Sequence, residues 1–127
     1  MSHRELLAGY YRILVALYNN TLNMLAHLEN RDLTAALEVQ KVNRELTEQA
    51  ESMLDEISAA SFAIDEDMKA EIEQAITMHH RIELLTQQCE CALKNLTEEL
   101  REKMQRIHRI REMAESQHRP PSPIARA

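Results

Sequence analysis

Glycine and proline are nearly missing from this sequence. Its 127 residues include one glycine, Gly9, and three prolines that all lie between Pro120 and Pro123. Strand-rich folds rely on both residues for their turns, so β and α/β folds are disfavoured. The long span without them is rich in Leu, Glu, Ala, Gln, Met and Arg, which have high helix propensity. The sequence therefore predicts an all-α protein.

Several functional classes are also disfavoured by absences. The two cysteines, Cys89 and Cys91, would point in nearly opposite directions on a helix and cannot pair there. Reduced thiols in a cytoplasmic protein are the simplest interpretation. No apolar run reaches the ~18 residues of a membrane span, so we expect no membrane-spanning helix. No signal-peptide cleavage site follows the N-terminus, so we expect no signal peptide. The net charge of −6 argues against nucleic acid as a direct partner.

Helical periodicity divides residues 1–118 into predicted helices at about 4–29, 33–58 and 65–117, forming one bundle. Ser2 and Glu5 have the spacing of a capping box, and Asp65 is placed to cap the third helix. The short break at residues 30–32 predicts that the first two helices are antiparallel. Residues 119–127 read as a disordered tail.

Each predicted helix carries apolar stripes. We expect Phe62 or Ile64, in the loop at 58–64, to plug one end of the bundle. The inward stripe of the second helix is Val39, Val42, Leu46, Ala50, Met53 and Ile57. The first helix has two stripes, and the one that we call the helix-1 stripe consists of Leu7, Tyr11, Val15, Tyr18 and Leu22. A helix with two apolar stripes lies centrally in a bundle or contacts a partner.

The third predicted helix is longer than the first two helices can cover. At 1.5 Å per residue it would reach roughly 80 Å, about twice the length of the others. Its far half still carries apolar residues, here named the C-terminal stripe: Leu93, Leu96, Leu100, Met104, Ile107 and Ile110. Three arrangements would cover them. The helix breaks near Asn95 and a fourth helix folds back, or two chains pair, or another protein binds.

Charge is distributed in two opposite blocks. Between residues 45 and 73 every charged side chain except Lys69 is acidic, whereas between residues 101 and 111 every charged side chain except Glu102 is basic. The two blocks could lie against each other if a C-terminal helix folded back. The simpler interpretation is two solvated faces, because surface ion pairs contribute only about 0–1 kcal/mol.

No pattern in the sequence predicts catalysis. There is no phosphate-binding glycine loop and no nucleophile elbow. His79 and Glu83 are spaced to share a helix face, but two ligands are too few for zinc. Because His79 falls on the apolar stripe of the third helix, we expect it in the core or in an interface. The sequence predicts a protein-binding protein without catalytic residues, metal or cofactor.

The segment from Leu25 to Leu33, with Glu38 after it, and the segment from Ile82 to Gln88 resemble the FliT family of flagellar export chaperones. The similarity extends over about residues 10–115. Asn30 and Arg31 depart from the family pattern, which often has glycine and an aromatic residue at this turn.

The resemblance implies a cytoplasmic chaperone whose client is the helical C-terminus of the flagellar filament-cap protein. It also implies contacts with the export apparatus or a transcriptional regulator, and a C-terminal helix that masks the binding surface. The client would dock in an apolar groove between helices. Alternatives are a FlgN-like chaperone for hook-associated proteins, or a homodimeric coiled-coil adaptor without an export client.

Overall fold

A computed structural model of the chain describes residues 2–59 and 64–118. They form three helices and no strand: α1 (His3–Glu29), α2 (Leu33–Ala59) and α3 (Glu66–His118). The predicted all-α class is confirmed, and each helix boundary lies within one residue of its prediction. The predicted tail at 119–127 and Phe62 lie outside the described residues.

The start of α1 is the predicted capping box. The Ser2 hydroxyl accepts a hydrogen bond from the Glu5 backbone N–H at 3.2 Å, and the Glu5 carboxylate accepts one from the Ser2 N–H at 3.3 Å. Two N–H groups that α-helical bonding leaves without partners are thereby satisfied.

The turn between α1 and α2 is a Schellman motif. The Asp32 N–H donates to the His27 carbonyl at 2.8 Å, and the Arg31 N–H donates to the Leu28 carbonyl at 3.0 Å. Arg31 has a φ of 60°, in the left-handed region where such turns usually have glycine. The Asp32 carboxylate then caps α2 by accepting from the Ala35 N–H at 3.1 Å. The turn therefore forms without the glycine that is usual at this position.

Helix α3 begins at a similar cap and continues without interruption. The Asp65 carboxylate accepts from the Met68 N–H at 2.8 Å, and Glu66 and Asp67 occupy the first turn. Carboxylates there are stabilised by the positive end of the helix dipole. The helix passes Asn95 unbroken to His118. Between residues 64 and 118 there is consequently no fourth helix.

The chain divides into two units, residues 1–93 and 94–127. The core of the first unit brings all three helices together. Leu14 and Leu17 of α1 pack with Ala75 of α3, and Leu46 of α2 packs against this cluster. Leu14 is only 2% exposed.

Two contacts define the α1–α2 hairpin. Near its open end, a Cβ at Gly9 would lie 2.7 Å from the terminal methyl of Met53, so the helices approach closely there. Nearer the turn, the Asn43 side-chain amide donates to the Thr21 hydroxyl at 3.4 Å. Residue numbers that rise on α1 pair with numbers that fall on α2, which confirms the predicted antiparallel arrangement.

One expected core position is wrong, and two further side chains are more exposed than a core position would be. Val42 is 49% exposed, because α2 turns the neighbouring Asn43 toward Thr21 instead. The His79 side chain is 55% exposed, and its Nδ1 lies 3.2 Å from Oε1 of Glu83. His79 is therefore not in the core, and its place in an interface stays a prediction. Ile64 is 52% exposed, so of the two residues expected to plug the bundle end it is not the one that does so, and Phe62 lies outside the described residues.

Candidate functional site

The clearest candidate surface is on the second unit. Every side chain from residue 101 to 117 is exposed. Four apolar residues of the predicted C-terminal stripe stand in solvent there, and we call them the exposed stripe: Leu100 (42% exposed), Met104 (70%), Ile107 (52%) and Ile110 (65%). Large apolar side chains concentrated on one helix face are typical of protein-binding surfaces.

The other two residues of the C-terminal stripe differ from these four. Leu96 is 6% exposed and is therefore not open to a partner. Leu93 is 37% exposed and belongs to the first unit. Of the six residues that the sequence predicts as partner contacts, Leu96 is therefore the one that the structure buries, and partner binding by the others stays a prediction.

Most residues of the helix-1 stripe are wholly or partly buried within the protein. Leu7 is 6% exposed, and Tyr11 packs against the core cluster. Val15 and Tyr18 are partly buried, and only Leu22, at 40%, counts as exposed. This stripe serves mainly to place α1 centrally among the helices, and it offers a partner little apolar surface.

A further site that the stripes did not predict is an apolar cleft in the first unit. Its volume is about 130 Å³, close to the roughly 150 Å³ of a cavity that holds a benzene-sized group. Two of the residues beside it, Ala36 and Cys89, are buried at 3% exposure each. Because their side chains are small, they leave this space unfilled. All three helices line it: Met24, Leu28, Leu33, Ala36, Leu37, Gln40, Thr86, Cys89, Glu90 and Leu93. The cleft has room for one apolar side chain of a partner.

Cys89 joins this cleft to a small polar cluster. Its Sγ lies 3.6 Å from the backbone carbonyl oxygen of Thr21, and the Thr21 hydroxyl donates to the Leu17 carbonyl at 2.6 Å. Burial raises the pKa of the Cys89 thiol, and the negative charges of Glu29 and Glu90 raise it further. A neutral buried thiol is a poor nucleophile and a poor metal ligand. Cys89 therefore serves packing.

The described residues contain no arrangement of three or more His, Cys, Asp or Glu side chains that could hold a metal ion. Glu83 contacts both neighbouring histidines, with Oε2 3.6 Å from Nδ1 of His80, but all three side chains are exposed. Within the part of the chain described, no helix is both long and apolar enough to cross a membrane.

Comparison of the chain with protein-family models, with curated proteins and with solved structures yields no match. The surfaces described above are therefore the basis for a functional conclusion.

Proposed function

We propose that this protein binds a helical segment of another protein through the exposed stripe, as a chaperone of flagellar export does. The observation that carries the proposal is the solvent exposure of Leu100, Met104, Ile107 and Ile110 on one face of α3. A helical client fits such a face because its own apolar positions recur at the same spacing.

The energetics favour a covered stripe. Full burial of a Leu, Ile or Met side chain is worth about 1.5–3 kcal/mol. Met104 and Ile110 are about two-thirds exposed, so docking would gain on the order of 1 kcal/mol or more at each residue. The sum over the stripe is several kcal/mol before the entropic cost of association is subtracted. Because association itself costs about 4–15 kcal/mol, the stripe alone gives weak, reversible binding, and other contacts with the client must add to it.

The resemblance of the α1–α2 turn region and of residues 82–88 to FliT-type chaperones supplies the client class. On this proposal the protein acts in the cytoplasm, without catalysis, on the C-terminal helical region of a filament-cap protein before export. Contacts with the export apparatus or a transcriptional regulator would follow from the same role.

The test uses the full chain and a filament-cap protein, with complex mass followed by light scattering. Ile107→Ser should weaken the complex by roughly tenfold, because it removes the apolar contact at the centre of the exposed stripe. Glu102→Gln, on the opposite face of the same helix, is the matched control and should bind as the original chain does. Equal binding by both variants would refute the proposal.

A homodimeric coiled coil is a second candidate, favoured by the heptad spacing of Leu93, Leu100 and Ile107 on α3. The same light-scattering measurement on the isolated protein separates the two. A stable dimer that Ile107→Ser converts to a monomer, with no cap-protein complex, would support the coiled coil.

If hook-associated proteins bind and the cap protein does not, the client is that of a FlgN-like chaperone.

A further inference from the structure

The exposed stripe is not purely apolar, because two cationic side chains lie inside it. Lys103 and Arg111 are each four residues from Ile107, in opposite directions along α3. At 3.6 residues per turn they project about 40° to either side of Ile107. Met104 and Ile110 project about 60° away on the same face. The charges are therefore within the surface that a partner would cover.

The carboxylates of residues 100–114 project away from the exposed stripe. Between residues 100 and 114 the acids are Glu102 and Glu112, and both project about 140° from Ile107. Glu112 lies against His108 on its own helix, with Oε1 3.0 Å from Nε2. Within residues 100–114 the face that carries the apolar residues is consequently positive, whereas the opposite face carries both carboxylates together with Arg101 and Arg109.

A second copy of this segment is a poor match for the face. In a parallel, in-register pair Lys103 would face Lys103 of the second copy, and Arg106 would meet its Arg111. In an antiparallel pair centred on Ile107, Lys103 would face Arg111. Both arrangements bring like charges together while removing them from water, which costs several kcal/mol.

An anionic membrane is also disfavoured. Basic amphipathic helices that lie on bilayers carry Trp, Phe or Leu on one face and are rich in Lys and Arg on the opposite, polar face. Residues 100–114 contain no aromatic side chain and carry Glu102 and Glu112 on the far face. The narrow apolar stripe instead has the width of a helix–helix contact.

We propose that the occupant of the exposed stripe is an amphipathic helix whose apolar face is bordered by carboxylates, which pair with Lys103 and Arg111. This inference rests on the proposed function and adds the charge of the client. Charged groups of complementary sign select the partner and its register, because a wrong partner leaves Lys103 and Arg111 buried without a counter-charge.

The test offers the full chain two synthetic helical peptides of about four heptads with Leu at the a and d positions. One peptide has Glu at the e and g positions and the other has Lys. The charge-reversal variant is Lys103→Glu with Arg111→Glu. Its matched control, Arg101→Glu with Arg109→Glu, changes the net charge equally on the outer face. Dissociation constants are measured by fluorescence anisotropy, and circular dichroism checks that the helices persist.

We expect the original chain to bind the Glu peptide at least about tenfold more tightly than the Lys peptide. The charge-reversal variant should invert that preference, whereas the control variant should retain it. Ile107→Ser should weaken both peptides, since it removes shared apolar contact.

Three outcomes would overturn the inference. Equal affinity for both peptides would show that charge does not select the partner, while a cap-protein complex sensitive to Ile107→Ser would leave the proposed function standing. Binding of neither peptide, together with a dimer dissolved by Ile107→Ser, would refute both. Tighter binding to phosphatidylserine vesicles than to the Glu peptide, lost on charge reversal, would assign the face to a lipid surface.

Discussion

Replacing Gly9 with alanine tests the close approach of α1 and α2. Glycine within a helix is less favourable than alanine by roughly 0.5–1 kcal/mol. Against that gain, the new Cβ would lie 2.7 Å from the Met53 terminal methyl and 3.8 Å from its sulfur. Carbon atoms at contact are about 3.5–4.0 Å apart, so the methyl must move by roughly 1 Å.

The displaced atom is the free end of a flexible side chain. Met53 is partly buried, and its three rotatable bonds let it adapt to a changed neighbour. An imperfect rotamer costs on the order of 0.5–1.5 kcal/mol, and methionine should remain near the lower limit. The helix gain and the rotamer cost nearly cancel, so Gly9→Ala should change the free energy of unfolding by no more than about 0.5 kcal/mol.

The measurement is urea unfolding followed by far-UV circular dichroism, in the original chain and in a Met53→Ala background. In the Met53→Ala background the new Cβ meets no methionine methyl. The full gain in helix stability from alanine should then appear, so Gly9→Ala should stabilise that background by about 0.5–1 kcal/mol. Loss of more than about 1 kcal/mol in both backgrounds would contradict this reasoning, because it would mean that backbone atoms, and not Met53, limit the space beside Gly9.

Further predictions concern the core, the turn and the thiols. Leu14→Ala should lower the free energy of unfolding by about 2–5 kcal/mol, whereas Leu84→Ala, at a 61% exposed position, should change it by less than about 0.5 kcal/mol. Arg31→Gly should raise the melting temperature, because glycine relieves roughly 1 kcal/mol of left-handed strain; a lower value would contradict this. Iodoacetamide should modify exposed Cys91 well before buried Cys89, as peptide mass spectrometry would show. Since the folded-state pKa of Cys89 is raised above its ordinary value of 9.0, its contribution to stability is complete below that pH. The contribution is lost as the pH rises further, and Cys89→Ala should flatten that decline.

Helix boundaries could be predicted because their signals are local. The Ser2–Glu5 capping box and the cap at Asp65 each act within one helical turn, and the structure forms both. The antiparallel hairpin followed from the short connection after Glu29. The left-handed residue in that turn could not be named from sequence, since Arg31 carries no glycine-like signal.

The inward face of α2 was harder to predict because this helix buries little. Ala36 and Ala50 are the buried residues on it, and its larger side chains, such as Leu46, are only partly buried, so its rotation is weakly determined by apolar burial. Asn43 faces α1 through its bond to Thr21, which leaves the adjacent Val42 in solvent. A pattern that counts only apolar residues cannot anticipate a polar contact of this kind.

Position on a long stripe was also a poor guide for His79. A repeat of 3.5 residues drifts by about 20° per heptad around a straight helix, so residues assigned to one stripe of α3 do not share one environment. Leu96 is buried whereas Ile76 is 53% exposed. The apolar cleft escaped prediction for a related reason, since the small side chains of Ala36 and Cys89 on different helices create it together.

Lys103 and Arg111 also bear on whether the exposed stripe is covered permanently or reversibly. A permanently buried seam would keep two cations out of water, and an uncompensated buried charge costs several kcal/mol. In the free protein both side chains are exposed, so they carry no such cost. The cost of burying the two charges arises only when a partner docks. A partner that brings carboxylates offsets this cost, whereas a partner that has no carboxylates does not. A stripe with this composition is better suited to selective, reversible binding than to a constitutive dimer.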